Sequence, residues 1–320
     1  MYHVSMKSEL ERSEIVEAIP AACADEAAAV ALLEQLRWGG RPQCPHCQGA
    51  DVYQMTGRDG KRNARFLWRC RGCGGQYTVR IGTVYEDSRL PLRHWCYAFW
   101  RASTSKKGVA ALEIMRHCQI SYKSALFLMH RIRFAMAPDQ AAAPKLAGIV
   151  ECDETYVGGK PRKGTGPHKR GRGTKKTPVF AMVERGGGIR RRVVANVTGK
   201  TLKAAIKECV APTARIMTDE LSSYGGLGRD FAGHEVVAHS VGEYARGEAH
   251  TNTAESSFAI VKRGLVGVYH AVSKKHLHRY LAEYDFRWNA RRLNDGERTA
   301  LAIQAGVGKR LMYRAPARKS

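Results

Sequence analysis

Acidic residues are scarce in this chain. Only 29 Asp and Glu stand against 53 Lys and Arg among 320 residues, giving a formal net charge of +24. A surplus that large calls for a polyanionic partner. Nucleic acid fits first, because neutralising phosphates releases condensed counterions. Long apolar runs are missing too. Ala27–Leu33 is short and bracketed by Glu26 and Glu34, far below the roughly 18 residues of a membrane span. With no lipidation signal either, a membrane partner is excluded. The N-terminus MYHVSMKSELERSE lacks the charged-then-apolar pattern of a secretory leader, so the expected location is cytoplasmic. Nine cysteines, an odd number, argue against a closed disulfide framework. The basic, glycine-containing stretch Lys160–Thr177 lacks the GK[ST] of a phosphate-binding ATPase loop, so no nucleotide cofactor is expected.

What is present changes character along the chain. Residues 1–40 read as a helical segment, in which Glu26–Trp38 carries Ala, Val and Leu at helical spacing and stops at Gly39-Gly40. Residues 41–82 are dense in turns, cysteines and β-formers. Residues 88–137 return to helical patterning, and 138–147, with PDQAAAP, reads as a linker. From 148 to 292 the pattern is α/β. Strands are expected over Gly148–Val157, Pro178–Glu184, Ile189–Val197, Ala214–Thr218 and Glu235–His239. Helices are expected over Leu202–Val210, Thr253–Arg263 and Lys274–Arg291. A long basic loop and the Gly186-Gly187-Gly188 turn join the first three strands, which makes them antiparallel. The later strands alternate with helices, which favours parallel additions to the same sheet. That order is the one a ribonuclease-H-like domain shows. Residues 293–320 read as a basic tail with no assigned role. The fold class is therefore multidomain α+β: a zinc ribbon (41–82) and helix-turn-helix-like helices (88–137), then a ribonuclease-H-like α/β catalytic domain with a mixed sheet (148–292).

Cys44-Pro45-His46-Cys47 and Cys70-Arg71-Gly72-Cys73 are separated by residues 48–69. Each CxxC offers two thiolates from one tight knuckle, and two knuckles complete a tetrahedral Zn²⁺ site. Four protein ligands leave no open position, so this metal is structural. A redox pair is the competing reading. The intervening segment reads as a hairpin, with Val52–Met55 and Arg65–Arg69 as its arms. Lys61, Arg62, Arg65, Arg69 and Arg71 make it basic.

Ser105–Met136 contains two apolar helix faces. Val109, Leu112, Ile114 and Met115 form one, and Ala125, Leu126, Leu128, Met129 and Ile132 the other, across a turn at Gln119-Ile120-Ser121. The pattern is that of a helix-turn-helix with Ser121 as N-cap. Its second helix is expected to carry Tyr122, Lys123, His130, Arg131 and Arg133 outward, toward DNA. An ordinary pair of packed helices is the alternative.

Three carboxylates stand out. Asp153 lies in mid-strand between apolar flanks, and Asp219 ends the strand Arg215–Asp219, where α/β sites tend to lie. Glu255 opens a helix, where a capping box from Asn252 to Glu255 accounts for it fully. Lys262, seven residues on, shares its helix face. The segments CDETYVGGK, MTDELSSY and HTNTAESSFAIVKRG, in that order, resemble the three catalytic blocks of DDE insertion-sequence transposases. With the cysteine pairs and the later YLAEYDFRWNARR, residues 25–305 resemble the branch that has an N-terminal zinc ribbon. The resemblance implies that Asp153, Asp219 and Glu255 bind catalytic Mg²⁺ (or Mn²⁺), with Lys262 on phosphate or DNA. The branch varies at the third acidic position, so Asn252 is the nearby substitute and His250 is accessory. Glu151, Glu154 and Glu220 are secondary acids. The implied activity is DNA strand cleavage at the element ends and strand transfer to target DNA. Two ends must be held together, so a homodimer or higher homo-oligomer is expected.

Lys160–Thr177 holds eight Lys or Arg, and no acid lies between Glu154 and Glu184. Lys160, Arg162, Lys163, Lys169 and Arg170 are expected to grip DNA backbone beside Asp153; a solvated loop is the plainer reading. Two other functions remain open on the sequence. A metal-dependent nuclease or junction resolvase of the same fold uses the same carboxylates without joining ends. A non-catalytic zinc-ribbon regulator leaves the ordered carboxylate blocks unexplained.

Overall fold

The computed structural model describes residues 12–139, 143–159, 176–243 and 245–312. It divides into two compact units, one comprising residues 3–137 and 290–320, the other centred on 138–289.

The first unit begins with helices α1 (Arg12–Ala24) and α2 (Glu26–Trp38). Asp25 caps α2 by accepting from the Ala28 amide at 2.8 Å, and Gly39, at φ 56°, ends it in the left-handed conformation that glycine adopts without strain. A small antiparallel sheet follows, β1 (Val52–Gln54), β2 (Trp68–Cys70) and β3 (Gln76–Tyr77) in that order. Glu34 of α2 ties the sheet down, accepting from the Trp68 indole at 2.8 Å and pairing with Arg62 at 2.5 Å. Then come α3 (Leu92–Thr104), α4 (Ala111–Cys118) and α5 (Tyr122–Met136). Gln119 makes the α4–α5 turn at φ 53°, and Ser121 caps α5 as expected, accepting from the Ser124 amide. The core of the helices holds Ile15, Val30, Leu33, Trp95, Phe99, Ile114, Leu128 and Ile132.

The second unit holds one five-stranded sheet. Its strands are β4 (Ile149–Val157), β5 (Thr177–Glu184), β6 (Ile189–Val193), β7 (Arg215–Asp219) and β8 (Gly233–Val237), ordered β6-β5-β4-β7-β8. The first three are antiparallel neighbours, and β7 and β8 add in parallel. This is the ribonuclease-H-like arrangement. Helix α6 (Gly199–Cys209) covers one face, where Leu202, Ile206 and Cys209 pack with Cys152, Phe180 and Met182. Helices α7 (Asn252–Gly264) and α8 (Leu277–Asn289) cover the other, where Phe258, Val261, Leu281 and Tyr284 pack with Val179, Ala181 and Val183. Apolar layers on both faces explain why Val179–Val183 is continuously hydrophobic rather than alternating. The edge strand β6 is shorter than the expected Ile189–Val197. Asn196 ends it by accepting from the hydroxyls of Thr198 and Thr201 at 2.8 and 2.7 Å, which starts α6. The free edge of β6 is covered by side chains of α8: Asn289 bonds both the amide and the carbonyl of Ile189, and Asp285 accepts from the Arg191 amide.

The chain then rejoins the first unit. Residues 293–320 are not simply a tail, because α9 (Asp295–Gln304) packs against α1, α2, α3 and α5. A capping box between Asn294 and Glu297 opens it, the Ser103 and Thr299 hydroxyls meet at 3.0 Å, and Gln304 donates to the Leu36 carbonyl. Its apolar side chains are only Ala300, Leu301, Ala302 and Ile303, all in its second half, so its local pattern is weak and packing reveals it.

Candidate functional site

The ribbon brings four sulfurs together. Cys44 Sγ and Cys73 Sγ are 3.6 Å apart, as are Cys47 and Cys70. A tetrahedron with Zn–S bonds of about 2.3 Å has edges of about 3.8 Å, so the cluster has the size of a zinc site. The two knuckles repeat one geometry. The Cys44 amide donates to Gly49 O and the Cys70 amide to Gly75 O, both at 3.0 Å; Gln48 N returns to Cys44 O and Gly74 N to Cys70 O. The residues after the second cysteine of each pair, Gln48 and Gly74, share positive φ, 62° and 70°. Burial pushes the Cys44 thiol up, but backbone N–H groups of Cys47 and His46 outweigh it and bring it down to about 6, favouring the thiolate that a metal needs. Among the described residues, only these four bring three or more candidate ligand atoms within 4.8 Å.

The candidate acidic residues lie in the unit centred on 138–289. β4 alternates, with Val150 and Cys152 facing α6, so Glu151, Asp153 and Thr155 face α7 and α8. The parallel register pairs Glu151 with Met217. That is the last pair of the ladder; Asp153 and Asp219 each follow it by two residues, on the same side of their strands by the alternation of side chains. On its other side Asp153 neighbours the small Ala181 of β5. Glu255, on the first turn of α7, is exposed. Burial raises the Asp153 carboxyl to about 7, Glu154 adds to this, and the charges of Asp219 and Glu255 push the same way; the Glu154 amide, bonded to Asp153 Oδ1 at 2.7 Å, opposes them. That mutual repulsion marks the three expected residues as one electrostatic neighbourhood. Their oxygens do not all close to within 4.8 Å. A pair of ions about 4 Å apart asks for a spread set of this kind rather than one tight shell.

Glu151 is what the sequence reading undervalued. It is fully buried, at 0% exposure. Its carboxylate accepts from the Thr253 amide (2.8 Å), the Ala254 amide (3.0 Å), the Thr253 hydroxyl (2.9 Å) and Arg185 Nε (2.6 Å), and lies 3.2 Å from His250 Nδ1. Arg185 also donates to the His250 carbonyl at 2.9 Å. Glu151 therefore caps α7 from another strand, satisfying two of the N–H groups that a helix start leaves open. The expected Asn252–Glu255 capping box does not form. The cap residue is Thr251, which makes no side-chain cap bond; its hydroxyl lies 3.3 Å from Glu255 Oε1, and Asn252 is exposed. The one sequence signal was the two-residue spacing from Asp153. On the opposite face, Tyr224 donates to Glu154 at 2.7 Å.

Of the expected DNA contacts, Lys160, Arg162, Lys163, Lys169 and Arg170 lie outside the described residues. Lys123, on the first turn of α5, and Lys262 are exposed. Arg131 and Arg133 are not outward-facing, and neither is His130: all three are buried, Arg133 to 1% exposure. Arg131 donates to the Glu86 carbonyl and lies over the Trp95 and Phe127 rings at 5.6 and 5.4 Å. The physical reason is the C-terminal segment. α9 packs on α5, and Lys309 Nζ donates to Ala135 O at 2.7 Å, so the second half of α5 is enclosed where the local pattern promised solvent. The exposed surface of this pair of helices is instead its turn, with Arg116, His117, Gln119, Tyr122 and Lys123.

The chain thus joins a four-cysteine ribbon to a mixed sheet that carries buried acids. A family model described as an ISXO2-like transposase domain matches residues 145–289, and a transposase zinc-ribbon domain matches residues 24–76. An uncharacterized protein in transposable element ISH50 of Halobacterium salinarum is 31% identical over 278 residues, covering 82% of this chain and 90% of that protein. The chain belongs to the IS1595 family of insertion-sequence transposases with an N-terminal zinc ribbon. No helix among the described residues is long and apolar enough to cross a membrane.

Proposed function

We propose that the chain cuts DNA at the ends of its own mobile element and joins the freed 3′-hydroxyls to target DNA, with Asp153, Asp219 and Glu255 as the metal-binding carboxylates. The observation that supports this reading is that the charges of Asp219, on the strand next to β4, and of Glu255, on α7 over the same sheet, both act on the buried Asp153. Their hard oxygen donors suit Mg²⁺ or Mn²⁺. When bound, two such ions supply activation of water or a 3′-hydroxyl and neutralise the leaving oxygen.

The chain's own residues supply the rest. Asp153 and Asp219 sit on rigid neighbouring strands and fix the floor of the site. Glu255 arrives on a helix whose start is clamped by Glu151 and Arg185, so its distance from Asp153 is set by a buried ion pair. Lys262, nearly two turns on and on the same helix face, lies where a phosphate of the bound strand runs. The ribbon and the exposed α4–α5 turn add further basic surface for DNA. The mobile end acts in pairs, so the working form is at least a dimer.

Plasmid-to-plasmid transposition in cells tests the reading, with the gene's native flanks around a selectable marker and protein levels matched. Movement with the wild-type chain, and none with Asp153→Asn or Asp219→Asn, is the expected result. Equal movement with the variants refutes the site. Cutting without joining favours a nuclease.

A further inference from the structure

The stretch from Ser256 to Ala282 contains no acidic residue; it carries Lys262, Arg263, Lys274, Lys275 and Arg279. Its centre is built oddly. At Leu265–Tyr269 α7 widens into a π-helical turn, and His270 ends it at φ 57°, ψ −46°, outside the regions that side chains ordinarily adopt. The tip is Val266-Gly267. Val266 is 75% exposed, and a Cβ on Gly267 would meet nothing within 4 Å. Below the tip the turn is firmly held. The Tyr269 hydroxyl donates to Glu283 at 2.7 Å, its ring meets Tyr280 edge-on at 4.7 Å, and Glu283 is buried in a pair with Arg287. Lys262 and Arg263 precede the tip and Lys274 and Lys275 follow it; all four are exposed, and none forms an ion pair with a described residue.

A strained turn, anchored by aromatics and a buried ion pair, thus holds a bare valine in water between two pairs of unpaired cations. Packing does not call for it, since the anchoring lies beneath and the tip covers nothing. A polyanion with an apolar floor between its charges does call for it. Duplex DNA offers that in the major groove, about 12 Å wide, which admits a helix of 10–12 Å and presents thymine methyls between phosphate rims.

We propose that the α7–α8 knob, Lys262–Lys275, seats in the major groove of the DNA end being cut, with Val266 against a thymine methyl and Arg263, Lys274 and Lys275 on the flanking phosphates. This rests on the reading above, in which Glu255 meets the scissile phosphate. The helix then fixes where the contact falls. From Glu255 to Lys262 is about 10 Å along the axis and to Val266 about 16 Å, so the knob touches the duplex about three to five base pairs from the cut, at a rise of about 3.4 Å per base pair.

The test uses the full-length zinc-loaded chain and two duplexes, one carrying the native flank of the gene and one of shuffled sequence. Binding is measured against salt with Ca²⁺ in place of Mg²⁺. Lys274→Ala/Lys275→Ala, with an unchanged melting temperature, is expected to lower the slope of log affinity against log salt by about two on both duplexes. Val266→Ser is expected to weaken binding to the native flank by about fourfold, the effect of one methyl group taken out of water. Replacing thymine by uracil three to five base pairs from the end should do the same to the wild type and nothing further to Val266→Ser. An unchanged salt slope in Lys274→Ala/Lys275→Ala, while the wild-type chain still cuts the native flank, overturns the knob alone. A wild-type chain that binds neither duplex overturns both the knob and the reading beneath it. Loss confined to uracil positions elsewhere in the duplex overturns the assigned register.

Discussion

Thr253 and Glu151 are 102 residues apart in sequence and joined by two hydrogen bonds, one from the Thr253 amide and one from its hydroxyl, both to the Glu151 carboxylate. Through this contact the strand of Asp153 and the helix of Glu255 meet. In the proposed site three like charges are held together, so the helix of Glu255 needs fixing by something other than those charges, and Glu151 with Arg185 provides it.

Glu151→Ala is expected to destabilise the chain by about 3–5 kcal/mol, because it leaves Arg185 without its buried partner. Glu151→Gln keeps the shape and should cost less, about 1–3 kcal/mol. Urea midpoints measure both. Assayed well below its own melting temperature, Glu151→Gln should still need more divalent ion for half-maximal cleavage. A merely structural Glu151 leaves that requirement unchanged once the protein is folded.

Asp153 has a folded-state pKa near 7 against an ordinary 3.8. The neutral form is therefore favoured in the metal-free fold. Its stabilising effect is complete below about 3.8, fades as pH rises toward 7, and is gone above. Asp153→Asn should accordingly raise the melting temperature of metal-free protein at pH 8 and change it little at pH 4. The gain is about 1–3 kcal/mol, a discounted fraction of roughly 1.4 kcal/mol per pKa unit. Mn²⁺ affinity of the wild type should rise by up to about tenfold per pH unit toward pH 7 as the proton leaves, and Asp153→Asn should lose that dependence. Calorimetry at several pH values separates these outcomes; a variant that is less stable than wild type at pH 8 contradicts the burial argument.

The purified chain should carry one zinc per protomer. Cys70→Ser should lose it and open residues 44–77 to protease, while the 138–289 unit stays resistant. Metal analysis and limited proteolysis follow both. Full zinc content in the serine variant would point to ligands other than the four sulfurs.

Lys123 and Arg133 should separate cleanly. Lys123→Ala is expected to weaken DNA binding and lower its salt slope by about one, with stability unchanged. Arg133→Met is expected to shift the melting temperature and leave the slope alone. Shortening the chain after Leu293 removes α9 and should destabilise the helical unit by several kcal/mol, since it uncovers apolar surface of α1, α3 and α5. A truncated chain that melts like the full one would make 293–320 the tail that its composition suggests.

Much of this protein is written in local spacing. Two CxxC pairs specify knuckles because two thiolates must leave one turn. Ser121 caps α5 because its hydroxyl reaches the third amide. Val179–Val183 is continuously apolar because its strand has a layer on either side. The order of strands and helices then follows from short connections. Other features depended on the fold. Glu151 reads as one more strand acid until α7, a hundred residues on, arrives with open amides. Arg131 and Arg133 read as DNA contacts until distant segments close over their helix, Glu86 and Trp95 against Arg131 and the weakly patterned α9 against α5. Periodicity reports which face of an element is apolar within a turn or two. Which neighbour covers that face, and which carboxylate meets which helix start, is set by strand register and packing between distant segments, and those exist only once the chain has folded.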